Sequence, residues 1–344
     1  MTRLNSDEIV QRSQDRLKFI ELYLTQQENT PEQLKFEAIT GDASFRLYFR
    51  VVVGQERYIL MDVTPEKGSV VPFVKLNENF KKNGLAVPEI HAFNEKLGFV
   101  LLEDLGSTHL ADLIDHQFDK RKYRELISWL PKIAQVKASP WMNPYDAEFI
   151  QQETNIFRLW LLESWLGVTL FEEMSMQWTE LNAKLTEQML AQPQTVMHRD
   201  FHSRNVMYSE NAGRLIDYQD AVMGPVCYDA VSLLKDCYIR LPQTEFLELR
   251  SESYQQLFKA GLLGDMTFDQ YVYHFDLTGL QRHLKAAGIF VRLHLRDGKA
   301  GYLQSIIPTL EYVVEVGNRY SEFQWLATWL QSEIIPLIQV KLQS

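Results

Sequence analysis

Cysteine is scarce in this 344-residue chain. Its two copies, Cys227 and Cys237, match no zinc spacing and make no disulfide framework, so the expected compartment is a reducing one, the cytoplasm. Long apolar runs are missing too. No stretch of about 18 apolar residues is available to span a membrane, and the first residues lack the apolar core of a signal peptide. Positive charge is in deficit: 35 Lys and Arg stand against 45 Asp and Glu, a net charge of −10. A general nucleic-acid binder wants a basic face, so that class is set aside. A small anionic ligand is not, because one site can be basic within an acidic protein. There is no repeat or low-complexity tract, and nothing in the pattern calls for an obligate protein partner.

Core-forming material is plentiful: 46% of residues are hydrophobic and 12% aromatic. The length suggests about two domains or lobes of ~150 residues each. Asn5 or Ser6 can cap a first helix, with Asp7 and Glu8 in its first turn and a stripe of Ile9, Leu17, Ile20 and Leu24. Thr30-Pro31 ends it. Strand texture follows at Phe36–Thr40, Phe45–Val53 and Arg57–Val63, then a helix at Pro72–Asn83, then strands at Glu89–Phe93 and Phe99–Glu103. After Gly106 the spacing turns helical. Helices are expected at Arg121–Val136, Ala147–Leu166 and Gln177–Ala191, and from Tyr228 almost to Ser344, with breaks near Gly264, Gly298 and Pro308. The class is α+β, divided into residues 1–104 and 105–344.

The chemistry concentrates in His198-Arg199-Asp200-Phe201-His202-Ser203-Arg204-Asn205, followed by Asp217 at the end of Gly213-Arg214-Leu215-Ile216-Asp217. Phosphoryl transfer needs a positioned nucleophile and compensated charge, and little covalent help. An Asp beside the acceptor hydroxyl can orient it and take its proton. An Asn five positions on can turn back to a metal ion, and a second Asp on an adjacent strand can bridge metal to phosphates. Asp200, Asn205 and Asp217 have that order. Thr195-Val196-Met197 reads as a strand before the loop, and two short strands lead from Val206 to Ile216.

With HRDFHSRN and LIDYQD in view, the chain resembles the aminoglycoside phosphotransferase and choline kinase family, which has the bilobal protein-kinase fold. The resemblance implies ATP and Mg2+, Asp200 as catalytic base, and Asn205 and Asp217 as metal ligands. It implies structural parts for His198 and for Asp229, which would accept backbone N–H groups of the loop. Gly41, Asp42, Ala43, Ser44 and Arg46 lie where such kinases carry a phosphate-covering loop. Glu103 and Leu105 lie where the nucleotide base meets the hinge between lobes.

One departure stands out. The third strand should carry a lysine for the phosphates and offers Met61 and Asp62, so the helix acid, Glu78, lacks its partner. Either Arg46 or Lys67 supplies the charge, or the chain is a nucleotide-binding pseudokinase; the intact acidic set favours an active enzyme. GDASFRLYFR, LMDV, VPEI, LLEDLG, GPVCYDAVSLL and the run from Gly288 to Lys299 are most similar to one branch. That branch comprises anomeric N-acetylmuramate and N-acetylglucosamine kinases of bacterial cell-wall recycling. It implies a small amino-sugar acceptor. Candidate groups for it are His202 and Gln219 beside the acceptor, Arg204 and Arg292 for a lactyl carboxylate, and Glu153 and Tyr145. Kinases for aminoglycosides or choline are the alternative within the family.

Overall fold

The computed structural model describes residues 6–26, 34–39, 46–64, 69–114, 118–209 and 212–343. Two compact units divide the chain. The first is Met1–Lys82 with Ala86–Ser107 and Tyr208–Gln219, and the second is Asn83–Leu85, Thr108–Met207 and Asp220–Ser344.

In the first unit, β1 (Leu34–Ile39), β2 (Leu47–Val53), β3 (Glu56–Asp62), β4 (Ile90–Asn94) and β5 (Phe99–Glu103) form a sheet in the order β1-β2-β3-β5-β4. All its neighbours are antiparallel. The β-branched and aromatic residues that mark these strands in the sequence fill the sheet. At the β4–β5 turn only glycine fits. Gly98 has φ +69°, and a Cβ there would lie 1.8 Å from the Val63 carbonyl oxygen.

Helix α1 (Ser6–Gln26) covers the sheet, packing Phe19, Ile20 and Leu24 on Val51, Leu60, Phe99 and Leu101. Its Arg12 and Arg16 reach Asp62 at 2.6 and 3.0 Å. Arg12 also stacks on Phe99, and Arg16 on Phe49. Asp62 is buried and Met61 entirely so. The strand position that lacks its lysine is therefore core, and the neighbouring acid anchors α1. Helix α2 (Val71–Lys82) turns Glu78 outward to a surface pair with Lys75.

The second unit is mainly helical: α3 (Leu110–Ile114), α4 (Lys120–Ile127), α5 (Leu130–Ala134), α6 (Ala147–Ile156) and α7 (Glu172–Leu190) precede the loop, with α6 running on into a π-helical stretch, Phe157–Leu166. The helix expected over 121–136 is two helices, because Pro131 has no N–H to carry the ladder across the join. Strand β6 (Gln194–Met197) leads into the loop, and β7 (Val206–Ser209) and β8 (Ala212–Leu215), whose residues from Tyr208 on belong to the first unit, pair as a two-stranded sheet after it. A strand that the sequence did not suggest, β9 (Val222–Pro225), pairs antiparallel with β6.

Then come α8 (Tyr228–Leu234), α9 (Gln243–Lys259), α10 (Phe268–Asp297), α11 (Ile306–Arg319), α12 (Gln324–Trp329) and α13 (Ile335–Gln343). Gly298 ends α10 at φ +71°. Pro308 makes no break. It sits in the first turn of α11, where N–H groups need no intrahelical acceptor. At Gly288 the central helix α10 runs against the α6 backbone, and a Cβ would lie 2.5 Å from the Ile156 carbonyl oxygen.

Removing Asp62 would leave two nearly buried guanidinium groups without their counter-charge. Asp62→Asn is expected to destabilise the first unit by about 3 kcal/mol. Hydrogen exchange across Ser6–Gln26 should accelerate while α10 keeps its protection. Unchanged exchange in α1 would refute the anchor.

Candidate active site

The loop between β6 and β7 is held from behind by two buried carboxylates. Asp229, in the first turn of α8, accepts the N–H of His198 at 2.7 Å and that of Arg199 at 2.9 Å. Asp236, just past α8, accepts the N–H of Ser203 and that of Tyr238, both at 2.9 Å. Within the loop the Asn205 amide donates to the Asp200 carbonyl at 2.9 Å. His109 donates its Nδ1–H to the Arg204 carbonyl at 2.7 Å. These bonds hold Arg199 at φ 76°, a left-handed backbone that costs a side-chain-bearing residue about 1–2 kcal/mol. Burial raises the Asp229 carboxyl to about 6, opposed by His198 and the two N–H groups.

Asp200 is half-buried. Burial opposes its charge, yet the nearby cations, Lys285 and Arg199 foremost, outweigh burial and hold its carboxyl well below the usual range. The same two cations meet at Glu153, which is 4% exposed. Lys285 Nζ lies 2.8 Å from Glu153 Oε1, Arg199 donates to that oxygen, and the Tyr145 hydroxyl donates to Oε2. Tyr145 thus acts through Glu153: it is 1% exposed, so its expected place among the substrate contacts gives way to one behind them.

Next to Glu153 is a cavity of about 280 Å³, lined by Phe149, Gln152, Glu153, Ile156, Arg199, Lys285, Ile289 and Arg292. Lys285, Ile289 and Arg292 come from one face of α10, at the spacing i, i+4, i+7. Of the other expected substrate groups, Arg204 lies flat on Tyr238, 3.7 Å from the ring centroid. His202 meets that ring edge-on at 5.3 Å. Loss of hydration is the main reason that the His202 pKa falls to about 4, against the pull of Asp236 and Asp200.

In the first unit, Asp217 is exposed, at φ 64°, and accepts from the Gln219 amide at 2.6 Å. Tyr218 anchors this segment. It is buried between Phe73 and Phe80, and Asn77 donates to its hydroxyl at 2.7 Å. Asn77, one residue before the expected acid Glu78, is thus the α2 residue that fastens the Asp217 segment. At the hinge position the Glu103 N–H already donates to the Glu89 carbonyl at 2.9 Å, and Leu105 is buried. Arg46 immediately precedes β2. Gly41, Asp42, Ala43, Ser44 and Lys67 lie outside the described residues.

The donor chemistry fits a hard divalent cation. In the second unit the Asn205 amide nitrogen is committed to Asp200, which leaves its oxygen as a donor, and in the first unit Asp217 carries a carboxylate; each is a hard oxygen donor. No group of three or more His, Cys, Asp or Glu is arranged for a metal among the described residues. The sequence reading missed Lys285, Asp236, His109 and the side-chain part of Arg199.

Residues 35–263 match the model of the phosphotransferase enzyme family. The chain belongs to that family. It is 36% identical over 287 residues to the N-acetylmuramate/N-acetylglucosamine kinase of Neisseria meningitidis serogroup B, covering 82% of this chain and 85% of that protein. It is 34% identical over 285 residues to the protein of the same name from Pseudomonas putida, covering 83% and 84%. Among solved structures it is similar to a spectinomycin phosphotransferase in complex with ADP and spectinomycin, with a TM-score of 0.58 at 12% identity, covering 87% and 93%. The phosphotransferase has the kinase-like α+β fold that its sequence led one to expect, and it is an enzyme.

His202 should be neutral throughout the working range. Its ring signals, assigned by difference with His202→Gln, should stay flat in an NMR titration from pH 8 down to 5, where an ordinary histidine titrates near ~6.5. A midpoint between 6 and 7 would contradict this.

Proposed function

We propose that this phosphotransferase is an ATP- and Mg2+-dependent kinase of the cytoplasm. It transfers phosphate to the anomeric C1 hydroxyl of N-acetylmuramate and N-acetylglucosamine, giving the sugar 1-phosphate in peptidoglycan recycling. The names of the two relatives support the acceptor class. One structural observation favours it over the family's alternatives. The cavity beside Glu153 carries Arg199, Lys285 and Arg292 against a single carboxylate, which repels the cationic acceptors choline and aminoglycosides.

Asp200 serves as the base. With its carboxyl held below the usual range, it is ionised at any working pH and a weak proton acceptor. Its first task is to align the acceptor hydroxyl by accepting a hydrogen bond from it. The proton passes to Asp200 late, as the new O–P bond forms, which suits a loose transition state. An anomeric hydroxyl is more acidic than an ordinary alcohol and needs no stronger base. Asn205 and Asp217 would hold Mg2+, which supplies charge neutralisation on the phosphates. Gly41, Asp42, Ala43, Ser44 and Arg46 are assigned to the phosphates, and Glu103 and Leu105 to the base. His202 and Gln219 are assigned to sugar hydroxyls, with Arg204 on its aromatic shelf beside them.

Phosphorus NMR of the protein with Mg-ATP and, in parallel, N-acetylmuramate, N-acetylglucosamine, kanamycin and choline tests the acceptor. A sugar 1-phosphate is expected. Product on kanamycin or choline would overturn the acceptor class, and Mg-ATP binding without product would restore the pseudokinase reading that the buried Met61 invites. Asp200→Asn should cut turnover by at least ~10²-fold while nucleotide affinity holds; undiminished turnover would remove Asp200 from its role. Asp217→Ala should abolish Mg2+-dependent ATP binding in calorimetry, and wild-type affinity would refute its assignment.

A further inference from the structure

Charge in the cavity beside Glu153 is unevenly matched. Glu153 has committed both carboxylate oxygens, Oε1 to Lys285 and Arg199 and Oε2 to Tyr145. Arg292 is left over. It lines the cavity, yet its guanidinium makes no ion pair and no hydrogen bond among the described residues, and its Nε is buried without an acceptor. Arg199 likewise has a buried Nε without an acceptor. A buried donor without a partner is costly, and both belong to side chains that line this one cavity, so an anionic acceptor bound there is favoured.

The remaining lining defines what that acceptor carries. Phe149, Ile156 and Ile289 are apolar, and apolar walls lower the local dielectric and strengthen an ion pair formed beside them. The volume of about 280 Å³ is below the ~300–1,000 Å³ usual for a whole drug-sized ligand. A short apolar stem ending in an anion fits these walls. Geometry keeps Arg292 in place. The close approach of α10 to α6 at Gly288 fixes the face that presents Lys285, Ile289 and Arg292.

Resting on the acceptor class proposed above, we infer that Arg292, with Arg199 beside it, binds the carboxylate of the lactyl ether that distinguishes N-acetylmuramate from N-acetylglucosamine. The lactyl methyl lies against Ile289 and Phe149. A guanidinium suits this part, since its planar fork meets a carboxylate through two donors. Arg292 is thus a specificity residue for one of the two sugars.

The test compares kcat/KM for N-acetylmuramate, its neutral primary amide and N-acetylglucosamine, in the wild type and in Arg292→Gln. Wild type should prefer the acid over the amide by at least ~10-fold, the worth of a hydrogen bond to a charged group. Arg292→Gln should bring that ratio to within about threefold of unity. Equal wild-type rates on acid and amide would overturn the inference, and need no variant. So would a variant that loses both sugars alike with the acid-to-amide ratio intact, as a site for nucleotide phosphate predicts. If the wild type phosphorylates neither sugar, the proposed acceptor class fails. Calorimetric binding of N-acetylmuramate against its amide then decides the Arg292 site alone: tighter binding of the acid sustains it, and equal affinity overturns it.

Discussion

Two backbone N–H groups converging on the buried carboxylate of Asp229 set the shape of the loop between β6 and β7, and the rest of the candidate site hangs from that shape. A buried carboxylate is unfavourable unless its oxygens are satisfied. Asp229 gains its partners only if His198 and Arg199 turn their N–H groups toward α8. That turn places Arg199 in the left-handed region and directs its side chain to Glu153. Glu153 in turn fixes Lys285 and Tyr145. One carboxylate in the first turn of α8 thus organises side chains from α6, α10 and the loop itself.

The same network explains how an acidic protein keeps a basic site. The net charge of −10 belongs to the whole chain, whereas Arg199, Lys285 and Arg292 are gathered at one cavity. Lys285 and Arg199, joined by His202 and Arg282, keep Asp200 ionised although burial works against it. In the first unit, the place left by the missing lysine follows another logic. Met61 is core, and Asp62 is neutralised by Arg12 and Arg16 of α1. Helix α2, freed of a lysine partner, fastens the segment after Asp217 through Asn77, Phe73 and Phe80 instead.

Much of the fold was legible because period and composition agree. The β-branched and aromatic residues of β2 and β3 and the Gly98 turn each carry their own local signal, whereas the stripe expected for α1 holds only at Ile20 and Leu24, since Ile9 and Leu17 are exposed and Phe19 takes their place on the sheet. The brace at Asp229 was legible through resemblance alone. What stayed hidden depends on partners distant in sequence. Asp236 differs from any other acid after a helix only because Ser203, 33 residues earlier, offers it an N–H. Strand β9 ends in Gly224-Pro225, a turn signal, and becomes a strand because β6 pairs with it. The break expected at Pro308 failed because proline disrupts helix interiors and not first turns. Lys285 and Arg292 look like solvated charges on a long helix until Gly288 brings that helix against α6.

On the proposed acceptor class, the sign of the cavity has a further consequence for how acceptors are told apart. A lone carboxylate at Glu153 would suit a cationic acceptor, as a kinase of amines requires. Here that carboxylate is matched twice over, by Lys285 and Arg199, so its charge is no longer on offer. The side chain that remains uncommitted is Arg292. Discrimination therefore does not come from Glu153 itself but from what Glu153 has already neutralised. Turning the site into a cation pocket would take the loss of all three basic groups, because any one that stays still balances the single carboxylate of Glu153.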